Sequence, residues 1–135
     1  MTSASGQALS PNVERALGSI STIVQFALIF AIIIAILELW VVVLGLGLTG
    51  GFTGVFPMGV FPGVFPMLVF LIIDVLVIRH TSKIHSAANN GDIAALKSLN
   101  SLGYAIVALI FTGFIPGILL LIAYGWIYDL PSPQV

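Results

Sequence analysis

From Ile20 to Leu44 the chain carries only two strongly polar side chains, Gln25 and Glu38. As a helix that run rises roughly 38 Å, more than a hydrocarbon core of about 30 Å requires. It therefore predicts a membrane-spanning helix. Composition points the same way: 59% of the residues are hydrophobic and 7% are charged. Soluble domains carry about 25% charged residues, and a disordered chain needs high charge with low hydrophobicity. Neither description fits a mean hydropathy of +1.20. The formal net charge is −1, so no basic excess points to a nucleic-acid partner. The chain has no cysteine, which excludes disulfides, thiolate metal sites and cysteine nucleophiles. Residues Met1–Ser10 hold no Lys or Arg, unlike the basic start of a secretory signal. The first apolar run is thus expected to remain as an uncleaved span.

The expected fold is all-α, with three transmembrane helices at about 20–44, 60–78 and 104–127. A polar tail, 1–18, precedes a single transmembrane domain, 19–128, and a short tail, 129–135, follows it. Ser10-Pro11-Asn12 reads as a helix start. The connection at 45–59 is expected to be an outer loop rich in glycine. It leads into a short repeat, GVFPM (54–58), GVFP (59–62) and GVFPM (63–67). Each Pro disfavours helical geometry in the Phe before it and supplies no backbone donor. Pro57 is therefore expected in a non-helical interfacial segment, and Pro62 and Pro66 are expected to kink the second span. Residues 79–103 form the longest polar stretch after the tail and are expected to be a cytoplasmic loop. Within it Asn90-Gly91 predicts a turn, Asp92 a helix cap, and 93–102 a short amphipathic helix. Pro116 is expected to kink the third span.

All four basic residues, Arg15, Arg79, Lys83 and Lys97, fall in the N-terminal tail or in 79–103. Basic residues mark the cytoplasmic side. Three spans then place the N-terminus inside and the C-terminus outside, with Trp40, Trp126 and Tyr128 at the outer interface and Tyr104 at the inner one.

Chemistry-bearing residues are few. Glu38 and Asp74 are ionisable groups inside expected spans, where such groups are costly and rare. Counted from the expected span edges, Glu38 lies near the outer leaflet and Asp74 near the inner. Each would snorkel to its own interface, and Asp74 would sit closer to Gln25 than to Glu38. Ala27, Ala31 and Ala35 form a ladder of small residues, and Gly113 and Gly117 form another; such faces let helices approach closely. His80 and His85 read as solvated loop residues, too few for a metal site. No nucleophile–base set, phosphate-binding loop or dinucleotide fingerprint is present, so no catalytic residue, cofactor or metal is expected.

Residues 70–115 resemble the core of dispanin-like small membrane proteins. The matching features are an apolar helix, the basic turn at Arg79 and Lys83, Gly91-Asp92 with Ala95 and Ser98, and the apolar run from Tyr104. The resemblance implies a loop joining two helices. This chain lacks the cysteines often found near the first helix of that pattern and adds an N-terminal span, and no fusion-related function carries over. The residues by themselves favour a non-enzymatic scaffold or accessory subunit in the bilayer, a homo-oligomer or part of a larger membrane complex. A proton- or ion-conducting component using Glu38 or Asp74 is the alternative, and a self-assembling coat or filament subunit is a third.

Overall fold

The structure is a computed structural model that describes residues 8–48 and 61–132. The described chain is all-helical: α1 (Pro11–Leu48), α2 (Phe61–Asn89), α3 (Ile93–Leu99), α4 (Leu102–Val107), a π-helical turn (Ala108–Thr112) and α5 (Phe114–Tyr128). Pro57, the first half of the Phe-Pro repeat and most of the expected outer loop lie outside the described residues.

Helix α1 starts well before the apolar run. The Glu14 N–H donates to the Ser10 carbonyl at 3.0 Å, and Pro11 occupies a first-turn site where its missing N–H costs nothing. The expected tail 1–18 therefore shortens, because Leu17 and Ile20 are needed in the core. Gly45 and Gly47 belong to α1 and not to a loop. Helix α2 starts at Phe61, so Pro62 sits in its first turn and Pro66 lies inside the helix.

Two seams hold α1 against α2. On α1 the buried residues are Leu17, Ile20, Val24, Ala27 and Ala31; on α2 they are Asp74, Val77, Thr81, Ile84 and Ala88. Both series alternate steps of three and four, the spacing that keeps one stripe facing a neighbouring helix. The pairing is antiparallel: Ser21 hydrogen-bonds Asn89 and His85 at one end, and Glu38 meets Asp74 further along. The expected loop 79–103 is thus largely structured. Residues 79–89 continue α2, because Ile84, Ala87 and Ala88 keep the seam going into the core with Leu17, Ile20 and Val24. The turn at Asn90-Gly91 puts Gly91 at φ 66°, and the Asp92 carboxylate caps α3 by accepting from the Ala95 N–H at 2.9 Å. Helix α3 ends at Leu99, short of the expected 102, and the Asn100 side chain donates to the Tyr124 carbonyl at 3.1 Å.

The third expected span, 104–127, is not one helix. The chain turns at Gly113, whose φ of 113° and ψ of 167° only glycine adopts readily. Helix α5 then returns alongside α4 and the π turn. Asn100 meets Tyr124, Lys97 Nζ meets the Tyr128 carbonyl at 3.5 Å, and Gly117 lies against the backbone of Leu109. Pro116 sits in the first turn of α5, so it begins a new helix where a kink in a continuous one was expected. The hairpin packs on α1 with Leu130 and Ile127 beside Leu17 and Ile20. Its tip reaches Ile34. The described C-terminal end therefore lies beside the start of α1, at the same end of the bundle, and Trp126 and Tyr128 sit there too.

Exposure divides the surface into two zones. On α1 the exposed side chains are polar through Asn12, Arg15, Ser19, Thr22 and Gln25, then apolar from Phe26 to Leu44. On α2 they are apolar from Met67 to Leu76 and polar from Arg79 onward. Among the described residues one helix, over Pro11–Gly45, is long and apolar enough to cross a membrane, and only 17% of its most apolar window is buried within the protein. That outward-facing apolar surface supports membrane association.

The hairpin turn generates the first prediction. Gly117→Ala forces a Cβ into the Leu109 backbone and is expected to cost about 1–3 kcal/mol. Gly113→Ala strains a left-handed position and is expected to cost about 1–3 kcal/mol. Gly125→Ala, with nothing within 4 Å, is expected to be neutral or to stabilise by up to about 1 kcal/mol. Thermal unfolding in mild detergent, followed by circular dichroism, ranks the three.

Candidate functional site

Three elements bring polar side chains together inside the apolar zone. Asp74, on the α2 seam, is 0% exposed; Thr112, at the end of the π turn, is also 0% exposed. Glu38 extends the α1 seam by two further steps beyond Ala31, through Ile34, and is half-buried. The Asp74 carboxyl lies within electrostatic reach of Glu38, and the Thr112 hydroxyl also approaches it. Among the described residues Glu38 Oε2, both Asp74 carboxyl oxygens and Thr112 Oγ1 are buried without a hydrogen-bond partner of ordinary geometry. Buried polar groups are normally satisfied, so four unsatisfied oxygens at one place distinguish this cluster from the surrounding apolar packing.

The hairpin tip accounts for Thr112. In the π turn the Gly113 N–H bonds back to the Ala108 carbonyl at 3.1 Å, one residue further than in an α-helix. Such turns recur at functional sites. Gly113 then reverses the chain against Ile34, one turn before Glu38: a Cβ on Gly113 would stand 3.2 Å from Ile34 Cδ1.

Glu38 and Asp74 are therefore neighbours, contrary to the depth count, which assumed that the second span ends at Ile78. Gln25, expected beside Asp74, is exposed on α1 below the apolar zone, and Arg79 is exposed as well. Ala27 and Ala31 are buried in the bundle and Ala35 is half-buried. Gly113 and Gly117 form the hairpin turn and its close crossing. Two carboxyls and one hydroxyl are hard oxygen donors and fall short of a transition-metal set.

Below the acidic pair His80 lies at the polar boundary. Its Nε2–H donates to the Leu99 carbonyl at 3.0 Å, and its ring stacks on Tyr104 with centroids 3.7 Å apart. The Tyr104 hydroxyl donates in turn to the Leu76 carbonyl. The sequence placed His80 in a solvated loop; the stacking arises because α2 continues past Arg79 and the hairpin returns across it. His85 stays at the surface side of the seam with Ser21 and Asn89. No protein family, curated relative or solved structure matches this chain, so the dispanin-like resemblance rests on the quoted residues alone.

His80 gives a pH prediction. Burial lowers its pKa below the ordinary 6.5, partly offset by the Leu99 hydrogen bond, and the nearby Lys83 lowers it further. With the folded value depressed, the unfolded chain binds the extra proton more readily. The stability contributed by neutral His80 is then full above 6.5 and is lost as pH falls through the folded value. Unfolding in detergent is expected to become easier as pH falls below 6.5, and His80→Gln is expected to flatten that dependence.

Proposed function

We propose that the chain is an integral membrane protein whose Glu38–Asp74 pair binds and releases a proton within the bilayer, as the conducting or coupling element of a homo-oligomer or larger complex. In this reading α1 and α2 cross the membrane. Helices α4 and α5, with the π turn, form a re-entrant hairpin that enters and leaves on the side of the N-terminus. Along α1 the exposed apolar zone from Phe26 to Leu44 rises about 28 Å at helical pitch, close to a hydrocarbon core of about 30 Å. Glu38 then lies about 18 Å above the lower edge of that zone, too deep for its short side chain to reach water there.

The observation that carries the reading is the convergence of two carboxyls on unsatisfied, enclosed oxygens at the tip of a broken helix. Irregular backbone at membrane depth is tolerated where it lines a protein-enclosed site, and membrane transport sites use such broken helices. Side by side in apolar surroundings, two ionised carboxylates repel and lack solvation, whereas one shared proton relieves both penalties. Thr112 supplies a hydroxyl that can donate to whichever oxygen is charged.

A scaffold reading draws on a different observation. Beyond the hairpin tip only α1 and α2 continue among the described residues, exposing Leu39, Trp40, Val43, Met67 and Ile72. That surface suits helix packing against lipid or protein.

Proton flux separates the two. Reconstituted in vesicles with an imposed pH gradient and a potassium ionophore, the protein is expected to dissipate the gradient. Glu38→Gln and Asp74→Asn, each still helical by circular dichroism, are expected to return flux to the level of empty vesicles. Flux unchanged in both variants, or absent from the parent, leaves the scaffold reading standing. Flux that follows sodium instead of the pH gradient reassigns the pair to a metal cation.

Topology is tested independently. Single cysteines replacing Ser86 and Ser132 are expected to react with an impermeant reagent from the same side of the membrane. Labelling from opposite sides would remove the re-entrant hairpin.

A further inference from the structure

Where α1 begins and α5 ends, the bundle opens into a groove of about 500 Å³, lined on one side by Asn12, Arg15 and Ser19 and on the other by Trp126, Asp129 and Leu130. Its charges are one guanidinium, from the first turns of α1, and one carboxylate, just after α5. Ser19 spends its proton on the Arg15 carbonyl at 3.1 Å, which leaves its oxygen as an acceptor. The rest of the groove is apolar. Along α5 from Trp126, outside the groove itself, Ile122, Ile118 and Ile115 are exposed at helical spacing. A polar mouth with one charge of each sign thus runs into an apolar stripe, at the height where the exposed surface changes from polar to apolar.

We propose that this groove binds one phospholipid whose head group carries both a phosphate and an ammonium. Arg15 pairs with the phosphate, to which a guanidinium presents a matched fork of donors. Asp129 accepts from the ammonium, while Asn12 and Ser19 offer neutral hydrogen-bonding atoms between them. Trp126 lies at head-group level, where an indole keeps its apolar body in the chains and its N–H among polar groups. One acyl chain follows Ile122, Ile118 and Ile115 down the outer face of α5. Charge complementarity selects this occupant: an anionic lipid without an ammonium would pair its phosphate with Arg15 but leave Asp129 without a counter-charge. A water-soluble ligand would gain nothing from the isoleucine stripe.

The inference rests on the membrane reading, and its test keeps the two apart. Trp40→Phe leaves Trp126 as the only tryptophan, since the chain has two. This full-length variant is reconstituted into phosphatidylglycerol vesicles containing a small fraction of chain-brominated lipid, either phosphatidylethanolamine or phosphatidylglycerol. Bromine quenches indole emission at short range. Quenching of Trp126 is expected to be at least twofold greater with brominated phosphatidylethanolamine at equal mole fraction. Adding Arg15→Gln or Asp129→Asn is expected to bring it down to the phosphatidylglycerol baseline; both residues are at the surface, so the fold is retained. Equal quenching by the two lipids, or an excess that survives both substitutions, overturns the groove assignment while leaving the membrane reading intact. Absence of quenching by either lipid overturns the membrane reading itself. Millimolar O-phosphoethanolamine is expected to leave the excess in place; if it abolishes the excess, the groove recognises a free head group and the lipid assignment fails.

Discussion

The whole arrangement depends on how closely the backbone of α5 approaches the turn before it. At Gly117 there is no room for a Cβ against Leu109, and four residues earlier Gly113 takes a conformation that other residues resist. These two glycines fold an apolar stretch long enough to span into a hairpin roughly half that height. Had the chain continued straight, Thr112 would have been one position on a spanning helix, and the described C-terminal end would have left the bundle at the far end. Folded back, the hairpin covers the lower part of the α1–α2 pair and delivers its tip to Asp74. The packing below follows, with Ala105, Ala108 and Leu120 closing on Ala27 and Val77.

The acidic pair is the energetic counterpart of that closure. Burying a carboxyl without partners is costly, and the seam has several apolar residues that would fill the same positions. The cost of Asp74 is not offset by any ion pair with the basic residues of α2, since Arg79 turns outward. In the proposed reading it is compensated when a proton or another cation enters between Glu38 and Asp74. A site that is unfavourable when empty and favourable when occupied is what binding requires, which is why the pair is read as a site and not as a structural bridge.

Much of the α1–α2 pair was legible in the chain. The steps of three and four from Leu17 to Ala31 and from Asp74 to Ala88 stand in the order of the residues themselves, and continuing them puts Glu38 and Asp74 on facing stripes. The change in polarity at Ile78 masks this, because it resembles the end of a helix. In fact α2 runs on through Arg79 and Lys83 with its seam intact, since Ile84 and Ala88 recur at the right spacing. Lack of charge from Tyr104 to Ile127 likewise suggested one span. The local signal against it was the string Thr112-Gly113-Phe114-Ile115-Pro116-Gly117, in which Pro suits the first turn of a new helix as well as a kink. Nothing in a single string of residues decides between those outcomes; the Leu109–Gly117 contact does. The turn at Asn90-Gly91 and the Asp92 cap were readable because their chemistry is local.

In the proposed reading, a hairpin in place of a third spanning helix makes the number of crossings even, and this bears on where the charges lie. With three crossings, the basic residues share a side with one terminus only. With two crossings and a re-entrant hairpin, both described ends lie on the side of Arg15, Arg79, Lys83 and Lys97, and so do Glu14, Asp92 and Asp129. Every formally charged side chain except Glu38 and Asp74 then falls outside the apolar zone, on one side of it. The positive-inside argument depends on which segments carry Lys and Arg and not on how often the chain crosses. Opposite that face the described surface is uncharged, and the two exceptions within the apolar zone meet each other.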